Sequence, residues 1–131
     1  MTATVEYLPE RRTVVVKYAG TITPDVLGRQ TQIGIGLLKQ HGAYRVLVDC
    51  SEIDVIAVTT ADVYEQPDVY HDQGVPTDTR IALVLPRNEI RTDLFKFYDD
   101  TSHNRGYNVE LFENGEAAWA WLAQDPDDSL A

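Results

Sequence analysis

The stretch Ala43–Asp49, which reads Ala-Tyr-Arg-Val-Leu-Val-Asp, decides how this chain folds. Val46, Leu47 and Val48 are consecutive apolar residues, and two of them are β-branched. Because alternate side chains of a strand point to opposite faces, an apolar run without alternation predicts a strand covered on both faces, as in the middle of a parallel sheet. Asp49 is then expected at the carboxyl end of this strand, where open α/β sheets bind their ligands.

Two strand-like runs and a well-marked helix precede this stretch. The runs Thr4–Leu8 and Thr13–Tyr18 are separated by four polar or turn-forming residues, which predicts a hairpin. Thr23 and Pro24 are the residue types preferred at the cap and at the first position of a helix, and Gly42 suits the left-handed residue that ends one. The sequence therefore predicts a helix between Thr23 and Gly42.

The segment Cys50–Thr79 is the least regular part of the sequence. Thr59 or Thr60 is expected to cap a short helix, which Pro67 ends because proline lacks a backbone donor and clashes with the preceding turn. Residues 68–72 are expected to form a second helical piece. Since irregular connections often carry binding residues, most of any function is expected here.

The remaining elements continue the alternation of strands and helices. Strands are predicted over Arg80–Leu85 and Asn108–Phe112, with a helix between them that Asn88 caps and Gly106 ends. Asn114 is expected to cap the last helix. The order β-β-α-β-α-β-α-β-α predicts an α/β fold with a mostly parallel five-stranded sheet and an antiparallel N-terminal edge hairpin.

Length and composition suit one domain. The 131 residues include 44% apolar and 24% charged residues, and we expect a single domain over residues 1–124 followed by an acidic tail over 125–131. The formal net charge of −10 opposes binding to nucleic acid or to anionic lipid surfaces, because both need cationic patches. No apolar run approaches the roughly 20 residues of a membrane span. The N-terminus lacks the features of a signal peptide and Cys50 is the only cysteine, so a cytoplasmic location is expected.

Three segments carry a family resemblance. Gly20–Asp25 reads Gly-Thr-Ile-Thr-Pro-Asp after a strand, Val46–Ser51 reads Val-Leu-Val-Asp-Cys-Ser, and Asn108–Leu122 closes on an acid-alanine-x-x-Trp-Leu helix. In this order and spacing they resemble the STAS domains, and the ending is similar to that of the bacterial SpoIIAA-like branch. The resemblance implies a β-α superhelix with strands added in sequence order. It also implies a regulatory or binding module without catalysis and without a cofactor.

The resemblance bears on a phosphorylation switch. Anti-sigma-factor antagonists of this kind carry an Asp-Ser-Ser-Gly motif at the start of a helix, and one of its serines is phosphorylated. Here the corresponding stretch, residues 57–60, reads Ala-Val-Thr-Thr, and Val58 falls where the first serine would stand. Thr59 and Thr60 remain as candidate phosphoacceptors, since charge added at a helix start alters a docking surface. The alternative is that one of them only caps the helix.

Catalytic and metal-binding arrangements are not indicated. Asp49 and Ser51 with His71 or His103 would be the residue types of a hydrolase, but there is no Gly-x-Ser-x-Gly elbow. Asp49 is expected to cap local amides instead. His41 and the other two histidines are not at metal-ligand spacing, so no metal is expected.

An apolar cleft is the second candidate site. Strands that are apolar on both faces need cover on both, and the irregular segment, a second subunit or an apolar ligand would supply the second cover; we expect the first. The cleft under residues 55–75 would suit a fatty acid or another lipid. Its expected lining residues are Val55, Ile56, Tyr64, Val69, Tyr70 and Val75.

Two functions follow from these observations. The leading hypothesis is a regulatory module that docks a protein partner through the surface around Asp49 to Thr60 and the following helix. A homodimer is also expected. The alternative is a carrier of a small apolar molecule, which would show an enclosed apolar cavity where a docking module shows an exposed patch near Thr59. The candidate binding residues are Asp49, Ser51, Thr59, Thr60, Tyr64, Tyr70 and His71.

Overall fold

The computed structural model describes residues 3–124, and the acidic tail predicted over 125–131 lies outside them. Nine elements follow one another in the predicted order of strands and helices. They are β1 (Ala3–Leu8), β2 (Thr13–Ile22), α1 (Pro24–His41), β3 (Arg45–Ile56), α2 (Thr60–Asp72), β4 (Arg80–Val84), α3 (Thr92–Asn104), β5 (Asn108–Phe112) and α4 (Gly115–Leu122).

The five strands form one sheet in the order β1-β2-β3-β4-β5. β1 is antiparallel to β2, and all other neighbours are parallel. Val46 and Leu47 of β3 lie beside Ile81 and Ala82 of β4, in the same direction. The predicted α/β fold, with its two apolar segments side by side at the centre and its antiparallel edge, is therefore confirmed.

The two faces of the sheet are covered by different helices. Val46 and Ile81 point into the core on the side of α1, α2 and α3. Leu47 and Ala82 point to the other side, where they pack with Leu122 of α4. The prediction that the irregular segment covers the second face is wrong, because α2 lies on the same side of the sheet as α1. Helix α4 covers the second face instead.

Helix α1 begins and ends as its capping residues predict. The Thr23 side chain accepts from the backbone N–H of Val26 at 3.3 Å, and Gly42 closes the helix with a φ of 61°. A β carbon added to Gly34 would lie 3.7 Å from Cγ2 of Val16, so this glycine lets the helix approach β2.

Strand β3 is longer than predicted. Asp49 was expected to end it, but β3 continues to Ile56 and pairs there with Ile22 of β2. β4 ends at Val84, opposite Asp49, so beyond this point β3 is paired only with β2. The polar residues between Asp49 and Ile56 suggest a loop because they interrupt the apolar run, yet Ile53 is buried in the core between them. This half of β3 therefore exposes one face.

Helix α2 is continuous, whereas two pieces separated by Pro67 were predicted. Its start is a capping box, in which Thr59 accepts from the backbone N–H of Asp62 at 3.2 Å and the Asp62 carboxylate accepts from that of Thr59 at 2.8 Å. Val63, Gln66 and Pro67 are buried on one side of the helix. Their burial offsets the hydrogen bond that proline cannot donate.

Helix α3 does not begin at Asn88 as predicted. Arg91 precedes it in the left-handed region with a φ of 49°, and no side chain caps it. The Asn88 amide donates to the Ile53 carbonyl at 3.3 Å instead, which ties the β4–α3 connection to β3. The predicted ending is confirmed, because Gly106 has a φ of 84° and Tyr107 beyond it is buried.

Helix α4 is capped as predicted, and an arginine holds its far end. The Asn114 side chain accepts from the backbone N–H of Ala117 at 2.8 Å. At the other end, Nη1 of Arg80 donates to the carbonyls of Trp121 at 3.0 Å and Gln124 at 2.8 Å. These charge-assisted bonds stabilise carbonyls at the end of the helix and just beyond it.

Candidate ligand cavity

A cavity of about 120 Å³ lies between the sheet and the three helices that cover one of its faces. We call it the inner cavity. The inner cavity arises because the three helices pack on different elements. Helix α1 packs on β1 and β2, α3 packs on β5, and α2 packs on α3. The helices therefore diverge above β3 and β4 and leave space over the middle of the sheet.

The floor of the inner cavity is made by the sheet. Alternate positions of the three inner strands present apolar side chains there, as the period of a strand requires. The floor residues are Val16, Tyr18, Val46, Val48, Cys50, Ile81 and Leu83.

The walls are helical and also mainly apolar. On the α1 side, Gly34 presents no side chain toward the cavity, so the space above Val16 stays open. Opposite it stand side chains of α2 and α3. The wall residues include Leu27, Ile35 and Leu38 on one side and Val63, Leu94, Phe95 and Tyr98 on the other.

Three phenols and one thiol are among the polar groups that line the inner cavity. The hydroxyls of Tyr70 and Tyr98 are hydrogen-bonded to each other at 2.8 Å, and Tyr18 and Cys50 lie on the floor. Burial raises the pKa of Tyr70 to about 12 and raises those of Tyr18, Tyr98 and Cys50 above their ordinary values. All four groups are therefore neutral at pH 7, and Cys50 is not a nucleophilic thiolate.

A polar bridge connects the two walls. Oγ1 of Thr31 in α1 donates to Oε1 of Gln66 in α2 at 2.8 Å, and both residues line the inner cavity together with Gln30. No lining residue among residues 3–124 is Asp, Glu, Lys, Arg or His. The cavity thus offers hydroxyl and amide groups but no charge, which suits an uncharged apolar molecule.

The candidate residues Asp49 and Ser51 lie on the other face of the sheet. They alternate with Val48 and Cys50, which face the inner cavity. Oδ1 of Asp49 accepts from the backbone N–H of Ser51 at 3.0 Å and from its hydroxyl at 2.6 Å, so this aspartate caps local donors as expected. Within residues 3–124, no hydrogen bond joins either residue to a histidine, and the residues of the imagined hydrolase are not brought together.

The candidate residues of α2 are spread over its surface. Thr59 and Thr60 are exposed at the start of the helix, and His71 is exposed in its last turn. The Tyr64 ring is 49% exposed and carries the guanidinium of Arg105 at 4.3 Å from its centroid. None of these four reaches the inner cavity.

The predicted cleft is partly correct. Ile56, Tyr70 and Val75 line the inner cavity, whereas Val55 is 51% exposed on the opposite side of β3 and Val69 is not part of the lining. Tyr18, Tyr98 and Gln66 were not predicted, because segments far apart in sequence bring them together. The usable signal was Gly34, a glycine in mid-helix on the side that packs on the sheet.

A second hollow lies at the amino ends of the parallel strands. It has a volume of about 370 Å³ and a polar lining that includes Arg12, Tyr44 and Arg45. The ring of Tyr7 is stacked on His41 there, with centroids 3.9 Å apart. Although this hollow is larger, it lacks the convergent apolar walls of a ligand pocket. Within residues 3–124, no three His, Cys, Asp or Glu side chains are grouped as metal ligands.

Two solved structures share this architecture. The chain is similar to the anti-sigma factor antagonist SpoIIAA in its unphosphorylated form, with a TM-score of 0.62 and 14% identity over 94% of this chain and 98% of that one. The chain has the SpoIIAA-like fold. It is also similar to an uncharacterized protein of the DUF3478 family from Shewanella loihica PV-4, described as having this fold, with a TM-score of 0.51 and 16% identity over 92% of this chain and 91% of that one.

The likeness confirms the resemblance at the level of architecture. At 14% and 16% identity it establishes the fold and leaves the function to the site. No protein-family model and no curated protein matches the sequence. Among residues 3–124, no helix is both long and apolar enough to cross a membrane.

Proposed function

We propose that this protein is a binding module without catalysis, and that its ligand is a small apolar molecule held in the inner cavity. The observation that carries the proposal is a space of about 120 Å³ with apolar walls in the middle of the core. Protein interiors are close-packed, and voids larger than a water molecule are few. Of a docking module and a carrier, the apolar cavity in the core favours the carrier.

The volume indicates the size of the ligand. An engineered cavity of about 150 Å³ with Leu, Ile and Phe walls, in another protein, binds benzene. A space of about 120 Å³ therefore suits a compact molecule of similar size and not the long chain of a fatty acid. At about 24 cal/mol per Å³, the cavity costs the fold about 3 kcal/mol, which a ligand of the right shape can recover.

The test is calorimetric titration with ethylbenzene, a compact hydrocarbon. We expect saturable binding to the wild type and an increase in its melting temperature, since a ligand that binds only the folded state stabilises it. Gly34→Leu, which places a side chain in the cavity, should abolish binding. Gly36→Leu is the matched control, because its β carbon meets no atom within 4 Å. If ethylbenzene does not bind the wild type, or binds both variants equally, the proposal is wrong.

A second candidate function is docking of a protein partner at the start of α2. It is supported by the likeness to a structure described as an anti-sigma factor antagonist and by the exposed Thr59 and Thr60. The capping box weighs against a switch at Thr59, because a phosphate there would lie beside the Asp62 carboxylate. A phosphorylation switch requires phosphate on Thr59 or Thr60, which mass spectrometry of protein isolated from its native cells detects; a chain without it removes the switch. A homodimer remains a prediction that sedimentation equilibrium tests.

A further inference from the structure

One of the tyrosines that line the inner cavity is not hydrogen-bonded through its hydroxyl within the described part of the chain. Tyr18 is only 3% exposed and lies on the floor of the inner cavity. Within residues 3–124 the hydrogen-bonded tyrosine hydroxyls are those of Tyr70, Tyr98 and Tyr107, and the hydroxyl of Tyr18 is not among them. Buried tyrosine hydroxyls usually have a hydrogen-bond partner. A ligand atom in the cavity that accepts the bond would be such a partner for Tyr18.

The neighbouring phenols leave a second donor. In the pair formed by Tyr70 and Tyr98, one hydroxyl donates to the other at 2.8 Å, so only one of the two hydrogens is used. Each of the three tyrosines lines the inner cavity. Since a phenol has one donor hydrogen, the cavity holds two O–H groups that donate to no acceptor among residues 3–124.

The same lining excludes a charged ligand. No cationic side chain among residues 3–124 reaches the cavity, so an anion would be buried without a counter-charge. Burying an ionised carboxylate without a partner is far more costly than burying a neutral carbonyl that is hydrogen-bonded. This argues against the fatty acid that the sequence suggested.

We propose, on the basis of the function proposed above, that the ligand is a compact uncharged molecule with a hydrogen-bond-accepting oxygen, such as a ketone, an aldehyde or an ether, and that Tyr18 donates to this oxygen. The apolar walls hold the rest of the molecule. Thr79 is the competing donor, because its buried hydroxyl also lacks a partner and also lines the cavity. It precedes β4, however, whereas Tyr18 lies near the level of the end of that strand, so the two mark opposite ends of the cavity.

The experiment compares three probes of similar size by calorimetry at pH 7: ethylbenzene, acetophenone and benzoate. For Tyr18→Phe, which removes only the hydroxyl, we expect the affinity for acetophenone to fall about fivefold and that for ethylbenzene to change less than about twofold. Thr79→Val, which removes the competing hydroxyl, should change the two affinities by the same factor, so that the ratio of the acetophenone affinity to the ethylbenzene affinity stays that of the wild type. Benzoate should not bind measurably to any of the three proteins.

An infrared measurement on the wild type gives a result that does not depend on a variant. The carbonyl stretch of bound acetophenone should lie at a lower wavenumber than in an alkane solvent, because a hydrogen bond weakens the C=O bond, and Tyr18→Phe should reverse this shift.

The outcomes separate the two proposals. If neither ethylbenzene nor acetophenone binds, the proposed function itself is wrong. If both bind and Tyr18→Phe leaves the affinity for acetophenone and its carbonyl band unchanged, the cavity binds ligands but the role of Tyr18 is overturned. If Thr79→Val, and not Tyr18→Phe, selectively lowers the affinity for acetophenone, the ligand oxygen lies beside Thr79 and the role of Tyr18 is overturned. Tighter binding of benzoate than of acetophenone would overturn the uncharged class.

Discussion

Thr31 Oγ1 donates a 2.8 Å hydrogen bond to Gln66 Oε1, and this contact joins α1 to α2 across the inner cavity. Gln66 is only 9% exposed, so its side chain has little access to water as an alternative partner. Within the described residues it is the only side-chain hydrogen bond between these two helices. The helices on this face are otherwise held mainly by their separate contacts with the sheet and, for α2, with α3.

Replacing this donor should weaken the fold by a small, measurable amount. Thr31→Val keeps the shape of the side chain but leaves Oε1 of Gln66 without its partner, so we expect the free energy of unfolding to fall by about 1 kcal/mol. Urea denaturation measures it. Thr4→Val, at an exposed position of β1, is the control and should change stability by less than about 0.5 kcal/mol. Equal effects of both variants would mean that the bridge contributes nothing.

The capping box at the start of α2 gives a second prediction. Thr59→Ala removes the acceptor of the Asp62 backbone N–H and should cost about 1 kcal/mol, whereas Thr59→Ser keeps the hydroxyl and should cost much less. Thermal unfolding of the two variants checks the difference. If alanine and serine are equally tolerated, Thr59 does not stabilise α2, and the case for its role as a docking residue becomes stronger.

Stability should fall at alkaline pH because of the buried phenols. In the unfolded chain tyrosine titrates near pH 10, whereas the pKa of Tyr70 in the folded protein is about 12. Between these values the unfolded state has lost the proton and the folded state has kept it. The contribution is therefore complete below pH 10 and is lost as the pH rises toward 12, at up to about 1.4 kcal/mol per pH unit for each phenol. The raised pKa values of Tyr18 and Tyr98 act in the same direction.

Urea denaturation from pH 8 to pH 11 measures this loss. Tyr98→Phe removes one titrating phenol and should make the decline shallower, whereas Tyr44→Phe, at a ring that is 56% exposed, should leave it unchanged. Stability that stays constant up to pH 11 would contradict the burial of these hydroxyls.

Cys50 provides an internal reporter for the cavity. It is the only cysteine, it is buried, and burial raises the pKa of its thiol. We therefore expect iodoacetamide to label the folded protein about a hundredfold more slowly than the unfolded chain. Because Cys50 lies on the cavity floor, bound ethylbenzene should slow labelling further. Mass spectrometry follows the reaction. Labelling at the same rate with and without the ligand would place the ligand elsewhere.

The fold was predictable because each local signal agrees with the global arrangement. Apolar runs at Val46–Val48 and Ile81–Leu85 require cover on both faces, and Thr23, Gly42 and Gly106 mark helix ends by chemistry that acts within a few residues. The errors concern features that depend on distant partners. β3 extends to Ile56 because β2 continues beside it, and no residue of β3 alone reveals this.

The candidate site was predictable only in part for the same reason. The irregular segment does contribute Tyr70 and Val75 to the cavity, but Tyr18 and Tyr98 come from β2 and α3. A cavity is a property of how far three helices stand apart, and this distance is set by which strands each helix contacts. Asp49 was interpreted correctly as a local cap and incorrectly as the end of a strand.

The position of bound acetophenone distinguishes the inner cavity from any other binding site on the protein. In a protein with ¹³C-labelled methyl groups, nuclear Overhauser contacts should connect bound acetophenone to the methyl groups of Val46, Ile81 and Leu83 on the cavity floor. We expect these contacts and none to Leu47 or Val84, which face α4. Contacts to the α4 face or to exposed methyl groups such as those of Val55, without any to the cavity floor, would contradict it.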